Sequence, residues 1–174
     1  MGDECWLPEL FACDDLSQWE QYENEVYAIF ERDFVTSAPT FNGKQVRIRR
    51  HPIEDGREGT FWHVTCCDYG KDGNRSPDPR RCERIEWIRS FIENYNCKES
   101  CCAECDGLYV WSTQYRRTNS PRFKILFEEE RYVVIIEERT DYCLLITAYY
   151  LDADHSLRKL LKEYDRACKQ EAPQ

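Results

Sequence analysis

Between Leu108 and Tyr150 the chain carries successive β-prone segments separated by joints too short for anything but tight reversals. Leu108 to Tyr115, Arg122 to Phe127, Tyr132 to Glu138 and Tyr142 to Tyr150 are rich in β-branched and aromatic residues. Glu129-Glu130-Arg131 and Arg139-Thr140-Asp141 have no room for a crossover, so their flanking segments pair as antiparallel hairpins. Tyr132 to Ile136 is apolar at every position, as a central strand covered on both faces would be. Such a meander folds only if other elements cover it, which restricts the chain to a sheet packed with helices.

The rest of the chain supplies the cover. Leu16 to Phe34 reads as a helix, with Ser17 as its cap, Glu20 three residues on, and Trp19, Tyr22, Val26, Ile29, Phe30 and Asp33 marking its period. Lys44 to His51 alternates as a strand, Val46 and Ile48 on one side and Arg47, Arg49 and His51 on the other. Thr60 to Cys66 reads as a second strand, joined to the first through the turn at Glu54-Asp55-Gly56. Asp78 caps a helix that begins with Pro79 and runs to about Tyr95, with Ile85, Ile88, Ile92 and Tyr95 as its apolar stripe. Asp154 caps a last helix that buries Leu157, Leu160, Leu161, Tyr164 and Cys168. The expected fold class is α+β: an antiparallel sheet, made of an N-terminal hairpin plus a C-terminal meander, packed with about three helices. The expected organisation is an acidic helical segment over residues 1–36 followed by a single α+β domain over 37–170.

Charge is concentrated at one end. The chain carries a formal charge of −9, and residues 1–33 hold ten acidic side chains against one basic, Arg32. The body is therefore neutral, and residues 44–89 lean basic. A neutral body does not exclude a polyanionic ligand, because binding depends on the local face. An acidic segment folded over Arg47 and Arg49 would occlude such a ligand. The first ten residues show neither a basic nor an apolar leader region, and no apolar run approaches the length that spans a bilayer. The expectation is a cytoplasmic protein with no membrane partner. Eleven cysteines, an odd number, then read as reduced thiols. Cys97, Cys101, Cys102 and Cys105 cluster with zinc-like spacing, yet adjacent Cys101 and Cys102 rarely reach one metal together and no second separated pair exists. No metal or other cofactor is assigned.

Three groups carry chemistry. Arg47, Arg49 and His51 share one strand face, where like charges repel unless an anion answers them; a charged, solvated sheet edge is the plain alternative. Arg81 and Arg84 open the second helix, with Arg81 aimed into the Ile85/Ile88/Ile92 stripe. Each needs either a carboxylate partner or an anion at the helix start. Thr147 and Tyr149 share a face of the last strand, and His63 stands on a neighbouring segment. Histidine suits acid or base work near neutral pH, arginine grips phosphoryl oxygens through paired donors, and hydroxyls orient them. That set fits metal-free cleavage of RNA.

Thr60-Phe61-Trp62-His63-Val64-Thr65, Asp78-Pro79-Arg80-Arg81-Cys82-Glu83-Arg84-Ile85, and the run from Tyr132 through Tyr142 to Tyr149 carry a likeness. With the Leu157 to Tyr164 helix they resemble the phage-encoded members of the barnase–EndoU–colicin–RelE ribonuclease superfamily, over roughly residues 44–165. The resemblance implies a four-stranded antiparallel sheet bearing the cleft. It implies His51 or His63 as acid or base, Arg81 or Arg84 on the phosphate, and Thr147 or Tyr149 positioning it; Arg47 and Arg49 are added as phosphate-binding candidates from their own strand face. The acidic segment and the cysteine cluster depart from the common pattern. The expected function is a metal-independent, toxin-like endoribonuclease of phage or mobile-element type acting on structured or ribosome-bound RNA. The competing expectation is a non-enzymatic protein-interaction module, such as an accessory factor or nucleic-acid mimic, since an acidic face with five Trp and eleven Tyr suits a protein partner.

Overall fold

Asn42 and Gly43 both sit at positive φ, 49° and 74°, the backbone that a two-residue hairpin turn of the primed type demands. In this computed structural model, which describes residues 6–67, 75–97 and 106–171, that turn joins β1 (Thr40–Phe41) to β2 (Lys44–Arg47). Before it lies α1 (Trp19–Phe30), entered through a 3-10 turn at Leu16–Gln18 and left through a π turn at Glu31–Val35. After it come α2 (Gly59–Thr65), the short pair β3 (Cys66–Cys67) and β4 (Ser76–Pro77), then α3 (Pro79–Cys82) and α4 (Ile85–Glu93). The meander follows as β5 (Tyr109–Tyr115), β6 (Ser120–Phe127), β7 (Tyr132–Glu138) and β8 (Cys143–Tyr150), and α5 (Asp154–Glu171) closes the described chain.

The main sheet has the order β1-β2-β8-β7-β6-β5. The meander forms as its pattern requires, each strand antiparallel to the next. The hairpin joins it through β2, which runs parallel to β8 with Val46 opposite Cys143 and Arg47 opposite Leu144. The fold is α+β, but its sheet is mixed rather than antiparallel throughout, and five helices rather than about three surround it among the described residues.

The largest departure from expectation is Thr60 to Cys66. Its residues are β-prone, yet Gly59–Thr65 is helical, because helical geometry buries Phe61, Trp62, Val64 and Thr65 together and leaves only His63 exposed. Propensity yields to packing here. The strand expected over Lys44 to His51 stops at Arg47, and the chain from Arg49 to Pro52 crosses the start of α2 instead. Thr60 Oγ1 accepts from the Arg49 N–H at 2.8 Å and donates to the Arg49 carbonyl at 3.2 Å. Gly59 permits the crossing, since a Cβ there would meet the His51 carbonyl oxygen at 3.0 Å.

Helix ends show smaller corrections. Asp15, not Ser17, caps the first turn by accepting from the Ser17 N–H at 2.9 Å. Asp78 caps α3 as expected, accepting from the Arg80 N–H at 3.0 Å, but the helix breaks at Glu83 and Arg84 before α4 begins. Asp154 is the first residue of α5 rather than its cap, and its carboxylate accepts from Arg131 at 2.8 Å. Cys168 is exposed.

The sheet separates two apolar layers. On one face Tyr132, Val134 and Ile136 of β7 pack with Tyr22, Val26 and Phe30 of α1, Phe61 of α2 and Ile85, Ile88 and Ile92 of α4. Glu20, Glu23 and Glu25 thus ride on a helix that belongs to the same core as the body. On the other face Trp111, Leu126 and Val133 pack with Leu157, Leu160, Leu161 and Tyr164 of α5. Val46 faces the α1 layer, so its neighbour Arg47 points to the opposite side. The described acidic helix therefore does not lie over Arg47, which is exposed, so the condition for occlusion is not met there.

The Gly59 crossing yields a stability prediction. Gly59→Ala should lower stability by about 1–3 kcal/mol, because the blocking atoms include backbone carbonyls that cannot rotate away. A urea midpoint equal to or above wild type would show that the Arg49–Pro52 loop yields freely.

Candidate functional site

Helix α2 packs against β8, and its last carbonyls have no helical partner. Arg81, on α3, supplies one. Its Nη1 donates to the carbonyls of His63 and Cys66, each at 3.0 Å, and its Nε lies 3.3 Å from Asp78 Oδ2. From β8, Thr147 Oγ1 donates to the same His63 carbonyl at 3.4 Å. The Arg81 guanidinium also stands 5.6 Å from the centre of the Tyr149 ring. One backbone carbonyl thus ties together residues drawn from three distant stretches of sequence.

The ionisable groups there are pushed in opposite directions. Although His63 is exposed as a whole, partial desolvation of its imidazole by the neighbouring residues lowers its pKa, and the positive charges of Arg49 and Arg81 add to the effect. Burial raises the Tyr149 phenol; Arg81 opposes the rise and Glu163 supports it. At neutral pH this leaves His63 an unprotonated imidazole at an exposed helix position and Tyr149 a protonated phenol on β8.

The remaining candidate residues lie elsewhere. Arg84 is buried, paired with Glu83, donating to the Arg80 carbonyl at 2.9 Å and standing 4.8 Å from the Tyr150 ring centre. It answers the sequence's question with a carboxylate partner. His51 is exposed, and its carbonyl packs against Gly59 at the end of α2 opposite His63. Arg47 is exposed on the sheet, 4.9 Å above the Tyr142 ring centre. Arg49, His51 and Arg47 therefore do not form one strand stripe; of the three, only the Arg49 charge acts on His63, helping to lower its pKa.

A second group went unnoticed in the sequence. Strand register aligns Arg47, Leu144, Glu137, Arg122 and Thr113 in a row across five strands, on the face shared with α5. Glu137 is 0% exposed. Its Oε2 accepts from Arg122 Nε at 2.6 Å, and its Oε1 lies 2.5 Å from Arg139 Nη2. The Arg122 guanidinium lies 3.3 Å from the Tyr115 ring centre. The available signal was Glu137 itself, a carboxylate in phase with Val133 and Ile135 on an apolar strand.

Among the described residues no group of three His, Cys, Asp or Glu side chains is placed to hold a metal ion. Cys97 is buried, while Cys101, Cys102 and Cys105 lie outside the described residues. No described helix is long and apolar enough to cross a membrane. No protein-family model, curated protein or solved structure matches the chain.

The lowered His63 pKa has a thermodynamic consequence. The unfolded chain binds this proton near pH 6.5 and the folded chain only below that. Stability assignable to neutral His63 is therefore complete above about pH 6.5 and is lost as pH falls toward the folded pKa. His63→Gln should remove that part of the acid-side loss. Denaturation midpoints of both proteins between pH 7.5 and 5.5 check it, and parallel curves would refute it.

Proposed function

We propose that the chain is a metal-independent endoribonuclease whose reacting group is His63. What supports the reading is the meeting of Arg81 and Thr147 on the His63 carbonyl at the end of α2, with Tyr149 beside Arg81 and the Arg49 charge acting on the His63 imidazole. Environments that push two titratable groups apart assign acid and base roles. In the proposed reaction the His63 imidazole takes the proton of an RNA 2′-hydroxyl. The 2′ oxygen forms a bond to phosphorus, the bond to the 5′ oxygen breaks, and that oxygen takes the Tyr149 proton. The products are a 2′,3′-cyclic phosphate and a 5′-hydroxyl. Guanidinium groups at Arg49 and Arg81 offset the charge on the phosphoryl oxygens, and Thr147 holds the His63 backbone in place.

A one-imidazole scheme follows from the position of His51, which stands at the far end of α2. The phage and mobile-element origin suggested by the resemblance, and a ribosome-bound substrate, remain parts of the same proposal. The second reading, a non-enzymatic interaction module, draws support from Arg81 and Arg84, whose internal partners give both a purely structural reason to be present.

The two readings separate in one assay. Single-stranded RNA incubated with the protein in excess EDTA should be cut to fragments ending in 2′,3′-cyclic phosphate. His63→Ala should slow cutting by roughly 100-fold or more, the usual worth of a general base, and Tyr149→Phe should slow it while leaving the fold unchanged by circular dichroism. His51→Ala should cut at nearly the wild-type rate. Intact RNA at high protein concentration, or equal rates in wild type and His63→Ala, overturns the nuclease reading in favour of the interaction module.

A further inference from the structure

The row through Glu137 lies on the same sheet face as α5, at the end of the strands away from the α5 cluster. Trp111, Leu126 and Val133 are buried against α5, whereas Glu137 is buried and paired with Arg122 and Arg139. Three guanidiniums stand there, those of Arg47, Arg122 and Arg139. Arg122 and Arg139 pair with one buried carboxylate, Glu137, Lys44 pairs with Glu138, and Asp141 lies close by, so of these four cations one is left over. Two of them are also backed by rings, Arg122 by Tyr115 at 3.3 Å and Arg47 by Tyr142 at 4.9 Å. Arg139 Nε is buried and has no hydrogen-bond partner among the described residues. Beside these residues lies a shallow depression of about 610 Å³, lined in part by Lys44, Ser120, Arg139 and Tyr142 together with the carboxylates Glu138 and Asp141.

We propose that Arg47, Arg122 and Arg139 form a second anion subsite, which takes a phosphate group and is held in shape by Glu137. A planar guanidinium fixed on one edge by a carboxylate and on one face by a ring presents its remaining donors in a set direction. A phosphate suits that array because it accepts several N–H donors at once. The outer guanidinium face also offers a stacking surface to an unpaired base. The row shares its sheet face with Thr147 and Tyr149, so the subsite lies along one surface with the His63 group. Placing it on the path of a bound RNA strand rests on the nuclease reading; the anion site itself does not.

Two probes separate those claims. Millimolar pyrophosphate should raise the melting temperature of wild type and of His63→Ala. Arg122→Lys keeps a cation beside Glu137 but loses the fork and the ring contact, and should abolish the rise. Arg47→Gln leaves Glu137 paired and should reduce it. Binding of a labelled single-stranded RNA is then measured in the His63→Ala background without divalent metal. Each of the two added substitutions should weaken it by about ten-fold, and Arg47→Gln should lower the salt slope by about one phosphate contact. Absence of a pyrophosphate shift in wild type overturns the subsite. A pyrophosphate shift without RNA binding keeps the subsite and overturns the nuclease reading. RNA bound equally by all variants overturns the placement on the strand path and leaves cleavage untouched. A variant that is unfolded by circular dichroism is replaced by Tyr142→Leu, which removes the ring under Arg47 and is expected to weaken both probes.

Discussion

A guanidinium answers the unpaired carbonyls at the end of α2, and the arrangement of the candidate site depends on it. Helix α2 has only seven residues, too few for its own hydrogen bonding to hold it. It is fixed at the start by the Thr60 side chain gripping the Arg49 backbone, and at the finish by Arg81. Because Arg81 is itself held by Asp78, the cap of α3 also orients the end of α2. His63 is the one residue of α2 left outside the packed layers. Its exposure is thus a product of the same contacts that make the helix stable.

Strand β8 contributes through an irregularity. Register shifts by one residue between β7 and β8, with Ile135 opposite Thr147 and Ile136 opposite Leu145. Ile146 is left without a partner, as in a β-bulge. Simple alternation from Leu144 would send Thr147 toward the α1 layer. The extra residue instead returns Thr147 to the face of Leu144, with Tyr149 two positions on. The bulge therefore sets which hydroxyls meet the end of α2, and it leaves Ala148 and Tyr150 facing the core.

Much of this was legible from the residues, for reasons that can be named. The meander was readable because short joints and period-2 patterning agree with each other. Asp78-Pro79 was readable because a cap followed by proline has one structural meaning. Thr60 to Cys66 misled because aromatic and β-branched residues serve equally in a strand and in a short helix sunk in a core. The Asn42-Gly43 pair was the missed clue, for it marks the real hairpin and ends the strand before Arg49 and His51. Of the residues chosen from separate segments, Arg81 and Thr147 both bond the His63 backbone carbonyl and Tyr149 lies beside Arg81, with His63 carried on a helix rather than a strand. Glu137, Arg122 and Arg139 could not be grouped from sequence, since only strand register brings positions that far apart into line.

That grouping poses an energetic question that the core does not. Removing a carboxylate such as Glu137 from water costs several kcal/mol, and two close guanidiniums offset this without a clear surplus. Apolar residues of similar volume would stabilise the sheet at least as well, and the half of the face beneath α5 is built that way. The charged half therefore gains orientation rather than stability: two arginines that would otherwise sample many rotamers are held against one buried anion and, for Arg122, one ring. A helix laid over the whole face would have been the simpler cover. Leaving half of it to fixed cations keeps a surface on which an anion can replace water without first having to order the groups that receive it.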